Sequence, residues 1–224
     1  MAKSFPNTGA TVIDATADLP GSPSEGMIVF QKDTNELKIY DGASWVSMLD
    51  TDTPPGLTLI YSNTVTVAGV GGTETFVNNV FSSAYDNYKI LINIDTVSVG
   101  DQLRMRFQNS GTSSAASFYG SVPYIDSEGA AAWVVNNQVN EGHAIVGFPA
   151  GGSSRPDTTT IDVMSPFLAR HTKIMGSMIQ DSRYMRSVLS THRVATSYSG
   201  LAFLGLTGAT MVFKVRIYGY RNSI

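Results

Sequence analysis

The chain has 224 residues, of which 42% are hydrophobic and only 15% are charged, whereas about 25% are charged in an average soluble domain. Its net charge of −3 gives no reason to expect nucleic acid or an anionic membrane surface as a partner. The absence of cysteine excludes disulfides, thiolate zinc sites and cysteine nucleophiles, so stability must come from packing or from oligomerisation.

Residues 1–26 are predicted to form an extended attachment arm, because proline and glycine recur and the apolar residues show no period. Such an arm is either disordered or ordered by lying on a neighbouring subunit. The start of the arm lacks the apolar core of a signal peptide, and no apolar run reaches the length of a membrane span. We therefore expect a soluble protein that is made in a cytoplasm, with no membrane insertion.

Residues 27–48 are predicted to form a small β-meander of three strands, with Asp41-Gly42 as a strong hairpin signal between the second and the third. A segment of about twenty residues cannot bury enough apolar surface to fold alone. Its large side chains therefore need a further surface to pack on, as two copies around a threefold axis would provide. The residues predicted for this oligomer interface are Phe30, Ile39, Tyr40 and Trp45.

Residues 49–56 (LDTDTPPG) are predicted as a linker, and residues 57–224 as a head domain built of successive strands. Apolar and polar residues alternate most clearly in Tyr88–Asp95, Leu103–Phe107 and Met211–Ile217. Shorter strands are predicted elsewhere, among them Ala195–Tyr198, and Phe167–Met178 is predicted as strand rather than helix. About ten strands at this spacing predict an all-β, antiparallel β-sandwich of the jelly-roll kind.

No pattern of catalytic or metal-binding residues is found, so we predict a protein that is not an enzyme and needs no cofactor or metal. The three histidines lie far apart and lack the spacing of a helix-borne zinc site. Residues 69–72 are predicted as a hairpin tip rather than a phosphate loop, because no helix or lysine follows. Four acids could supply a carboxylate pair for glycoside cleavage, although nothing in the sequence brings them together: Asp95, Asp101, Asp126 and Glu128.

Four aromatic residues lie within sixteen positions of one another and are interleaved with glycine, serine, asparagine and glutamine. Aromatic rings stack on sugar rings, and short amides and hydroxyls bind sugar hydroxyls, so this composition suits a glycan or a polar protein receptor. The alternative is that the rings belong to the core, as aromatics on alternating strands normally do. The predicted receptor-binding residues are Phe118, Tyr119, Tyr124 and Trp133.

The segment Ala17–Met48 resembles a short module of bacteriophage tail and fibre proteins that precedes an exposed domain. The residues that carry this resemblance are Leu19-Pro20, Gly26, Asp33-Thr34-Asn35, Leu37, Tyr40-Asp41-Gly42 and Trp45-Val46. The segments Asn78–Asn93 and Gln102–Thr112 are similar to β-rich domains of phage tail-fibre and other virion-surface proteins.

This resemblance implies a structural protein on the virion surface, usually a homotrimer, whose residues 1–56 bind other virion proteins. The chain has no room for a long shaft, which favours a short tail fibre or spike that presents its head for host attachment. Three alternatives remain open: a capsid or tail decoration protein (a head fibre), a glycan depolymerase, and a cellular carbohydrate-binding module.

Charge is divided unevenly along the chain. Residues 1–56 contain eight acids and three lysines, whereas the residues from Ser165 onward contain eight bases and one acid, Asp181. Such a separation either steers subunits or partners together or produces two solvated surfaces of opposite sign.

Overall fold

The computed structural model describes residues 11–49, 56–68, 73–126, 134–151, 157–180 and 184–220. These residues form seventeen strands and a single three-residue 3-10 helix, which confirms the predicted all-β class. None of them belongs to a helix long and apolar enough to cross a membrane. The chain divides into two compact units, Met1–Pro55 and Gly56–Ile224, which are described separately below.

The first unit is a four-stranded sheet with the strands in chain order. Its strands are β1 (Thr11–Ile13), β2 (Ile28–Gln31), β3 (Glu36–Tyr40) and β4 (Trp45–Leu49). The three antiparallel strands of the predicted meander are confirmed. The predicted arm is wrong for Thr11–Ile13, because these residues pair in parallel with β2 and make the sheet mixed. Of the predicted arm and linker, residues 1–10 and 50–55 lie outside the described residues, and Leu49 belongs to β4.

The second unit contains the other thirteen strands. They are β5 (Leu57–Val67), β6 (Thr75–Val77), β7 (Asn87–Val97), β8 (Leu103–Asn109), β9 (Thr112–Ser113), β10 (Phe118–Asp126), β11 (Val134–Glu141), β12 (Ala144–Gly147), β13 (Asp157–Met164), β14 (Thr172–Gln180), β15 (Tyr184–His192), β16 (Gly200–Gly205) and β17 (Met211–Tyr220). One sheet has the order β11-β10-β15-β14-β13-β7-β17-β5, and the other has the order β12-β8-β16-β6 with β9 paired to β8.

Eight of these strands form a jelly roll. Numbered 1 to 8 along the chain, β5, β6, β7, β8, β12, β13, β16 and β17 lie in the sheet orders 1-8-3-6 and 2-7-4-5. This is the arrangement of two Greek keys in a double sheet. The hairpins β10–β11 and β14–β15 are insertions, after β8 and after β13, and both extend the first sheet at the same edge.

The core of the second unit lies between its two sheets. The predicted alternation is confirmed on β7 and β17, where every second residue of Tyr88–Ile94 and of Met211–Ile217 is buried. The rings of Phe203 on β16 and Phe213 on β17 meet edge to face, with their centroids 5.2 Å apart. A second ring cluster, described below, surrounds Phe107 on β8.

Three strands of the second unit were not predicted, β9, β10 and β16, and one predicted strand is wrong. β16 was missed because all six of its residues are buried, so it shows no alternation of apolar and polar residues. β10 was missed because Gly120 and Pro123 weaken its strand signal. The segment Ala195–Tyr198 precedes β16 without pairing, and the strand predicted from Phe167 begins only at Thr172.

Candidate functional site

The first unit presents an apolar sheet face. Cross-strand partners share a face, and the pairs Ile28 with Ile39, Ile39 with Val46, and Val12 with Phe30 are all apolar. Val12, Ile28 and Val46 are 56%, 38% and 44% exposed, and the other members are half-buried. We call this surface the open apolar face, and it consists of Val12, Ile28, Phe30, Leu37, Ile39 and Val46.

The opposite face of the same sheet is covered. Val29 and Gln31 are fully buried there. The segment that joins β1 to β2 reaches this face, because the Gln31 side-chain amide donates a hydrogen bond of 2.6 Å to Thr16 Oγ1. Tyr40 and Trp45 belong to this covered side, and their ring centroids are 5.5 Å apart. The register therefore divides the predicted interface set, because Phe30 and Ile39 lie on the open apolar face and Tyr40 and Trp45 do not.

The first unit is acidic. Residues 11–49 contain six acids and two lysines, a balance of −4. Both lysines are already engaged, Lys32 by Asp14 at 2.7 Å and Lys38 by Glu36 at 3.1 Å. Two copies of this unit would therefore repel one another electrostatically, unless salt screens the charges.

The head carries a shallow depression of about 270 Å³ on the outer face of its larger sheet. Two rows of register partners cross it. One row runs from Met164 through Lys173 and Thr191 to Tyr119, and the other contains Met175, Leu189 and Ser121. Thr191 and Ser121 are shorter than the other side chains of these rows, which leaves the hollow. We call this surface the head depression.

Tyr119 lines the head depression, and Arg193 packs against its ring. The Arg193 guanidinium carbon lies 4.0 Å from the centroid of the Tyr119 ring, a cation–π contact that holds an exposed cation beside the hollow. Gly120 brings β10 close to β15, because a Cβ at this position would collide with the Leu189 carbonyl oxygen. The site therefore depends on tight pairing of the two inserted hairpins.

The other predicted receptor-binding residues do not share this surface. Phe118 is fully buried, with its ring centroid 4.4 Å from that of His192 and 5.9 Å from that of Phe107, so the expectation of an exposed ring is wrong. Its position alternates with that of Tyr119, which places it on the core side of β10. Tyr124 is on β10, but its side chain is not among those described, and Trp133 lies outside the described residues.

The sequence patterns did not predict most residues of the head depression or of the open apolar face. Lys173, Met175 and Leu189 lie on predicted strands, but nothing in the sequence indicates that these strands neighbour β10. On the open apolar face, alternation along β2 and β3 would have grouped Ile28 with Phe30 and Leu37 with Ile39, and this signal was available.

The two buried histidines are structural. Burial lowers the pKa of His192 to about 4, and the ring shares a hydrogen bond of 2.7 Å between its Nε2 and the Tyr198 hydroxyl. Burial also lowers the pKa of His143 to about 4, assisted by the nearby cations Arg104 and Arg106. Among the described residues, no group of three potential metal ligands occurs.

Two of the described acids, Asp101 and Asp41, hold loops in place through backbone hydrogen bonds. Burial raises the pKa of Asp101, but backbone N–H groups of Thr207, Gln102 and Ala209 donate to its carboxylate and outweigh that effect, so the pKa is below its usual value. Asp41 accepts hydrogen bonds from the N–H groups of Ala43 and Ser44 and closes the β3–β4 turn. The Asp126 side chain, the whole of Glu128 and residues 69–72 lie outside what the structure describes.

Comparison with known proteins does not assign a function to these surfaces. No protein-family model matches the chain, and no curated protein sequence matches it.

Proposed function

We propose that the chain is a non-enzymatic structural protein of a bacteriophage particle, a short tail fibre or spike that presents its jelly-roll head at the virion surface. The observation that carries this proposal is the open apolar face of the small sheet in the first unit, joined in one chain to a complete β-sandwich. Such a chain is suited to assemble through one end and to bind through the other.

Self-association covers the open apolar face. Burying a Val, Leu, Ile or Phe side chain stabilises by about 1.5–3 kcal/mol relative to full exposure. Six partly exposed side chains of this kind supply several kcal/mol per subunit, and a homotrimer brings three such faces to one axis. The remainder of residues 1–56 is then available for other virion proteins.

A second candidate function is decoration of a capsid or tail, in which the head binds only other virion subunits. Adhesion of the purified protein to host cells separates the two, because only a receptor-binding fibre adheres. A glycan depolymerase is the third candidate, and release of reducing sugar from host polysaccharide would identify it. Antibody against the head should label intact phage particles in the first two cases.

The assembly proposal is tested by the solution mass of the full chain and of a fragment that begins at Leu57, both measured by light scattering. We expect a trimer for the full chain and a monomer for the fragment, whose core lies within its own two sheets. A monomeric full chain would contradict assembly through the first unit and favour a decoration protein or an isolated binding module.

Salt should strengthen the association. Because each first unit carries a balance of −4 over residues 11–49, the copies repel at low salt, whereas apolar burial does not depend on charge screening. Raising the ionic strength from about 0.01 M to about 1 M shortens the Debye length from about 30 Å to about 3 Å. We expect the dissociation constant, measured by sedimentation, to fall severalfold. A rise would instead indicate contact between the acidic unit and the basic residues of another head.

A further inference from the structure

We infer that the head depression binds an anionic glycan, meaning a sugar that carries a carboxylate or a phosphate. This inference rests on the proposed function, because it assigns a ligand class to the head of the proposed fibre. It is carried by three observations: the shape and lining of the hollow, two cations beside it, and the engagement of the one described acid in its rows.

The shape and lining suit a sugar ring. The hollow of about 270 Å³ is smaller than most pockets for drug-sized ligands, which begin at about 300 Å³, so it fits only a small group such as one or two sugar units. Met164, Met175 and Leu189 offer apolar contact to the C–H side of a ring. Thr191 and Ser121 add hydroxyls to the same lining, where sugar hydroxyls need partners.

The charge selects an anion. Lys173 is exposed within the lining, and Arg193 is exposed and fixed against the Tyr119 ring. Among the described residues, no carboxylate lies within salt-bridge distance of either. Lys173 and Tyr119 flank Thr191 on neighbouring strands, so their Cα atoms are about 10 Å apart, and the ring that holds Arg193 lies across the hollow from Lys173.

Asp162 does not cancel this charge. It pairs in register with Met175, next to the hollow. Its carboxylate accepts a hydrogen bond of 2.5 Å from the Tyr220 hydroxyl and forms an ion pair with Lys89 at 2.9 Å. Asp162 is thus engaged by Lys89 on β7 and Tyr220 on β17, and none of the described acids pairs with Lys173.

The test uses the full chain and matched pairs of oligosaccharides. Trigalacturonate and 3′-sialyllactose are each compared with their methyl esters, and lactose 6-phosphate is compared with lactose, by calorimetry. We expect at least one acidic member to bind and its uncharged counterpart to bind at least tenfold more weakly. Binding of no acidic member, or equal binding of a neutral counterpart, would overturn the inference.

Two variants locate the site. Lys173→Gln should weaken binding of the acidic ligand about tenfold, since a charge-assisted hydrogen bond is lost. Lys214→Gln removes the same charge from β17 of the same sheet and should leave the affinity unchanged. Equal effects of both variants would show general charge attraction and contradict a site at the head depression.

Measuring the solution mass of the same samples tests the proposed assembly independently of the ligand assignment. A trimer that binds no acidic glycan would overturn only the ligand assignment. A monomer that binds one through Lys173 would overturn only assembly through the first unit.

Discussion

Val46→Asp should dissociate the proposed oligomer, whereas Ser47→Asp, one residue later on the same strand, should leave it intact. Val46 is on the open apolar face and is 44% exposed, so a single chain tolerates a charge there. In an assembled interface the same aspartate would be buried without a partner, at a cost of about 3 kcal/mol per subunit, which is roughly a hundredfold in the dissociation constant. Light scattering across a dilution series measures this change.

Ser47 provides the matched control because its register partner is Lys38, which places it on the opposite side of the sheet. Both variants add the same charge to the same acidic unit, so general repulsion affects them equally. Circular dichroism checks that each remains folded. If both variants dissociate, or neither does, the open apolar face is not the interface.

Acidification from pH 6.5 to pH 4 should destabilise the fold by about 3 kcal/mol for each buried histidine. Burial lowers the pKa of both His192 and His143 from 6.5 to about 4. Between these values the unfolded chain binds a proton that the folded chain does not, so stability is complete above pH 6.5 and falls as the pH approaches 4. Each pKa unit is equivalent to about 1.4 kcal/mol, which gives the expected size.

Urea unfolding at intervals between pH 7.5 and pH 4 measures this slope of stability against pH, and a variant isolates the contribution of one ring. His192→Phe keeps a ring against Phe118 and Phe107 and should remove about half of the slope, although the Tyr198 hydroxyl loses its partner and overall stability falls. An unaltered slope in His192→Phe would mean that His192 is not the titrating group.

Sequence patterns predicted which side chains of a single strand face the core. They did not predict which strands lie next to one another in the sheet. Alternation placed the inward side chains of β7 and β17 correctly, because each strand has one face in the core. It could not place Lys173 beside Tyr119, since 54 positions separate them and only the pairing of β10 with β15 joins them. Phe118 shows the same limit, because an aromatic on a strand does not reveal which face meets the second sheet.

The two inserted hairpins have a consequence for how binding specificity can change. β10–β11 and β14–β15 are additions to a complete jelly roll, and they supply all of the head depression except Met164. Because β10 pairs with β15, exchanging one hairpin alone would leave mismatched strand edges at the floor of the hollow. Recombination between related proteins would therefore transfer ligand preference only when residues 118–141 and 172–192 move together, while the eight-stranded scaffold stays as it is.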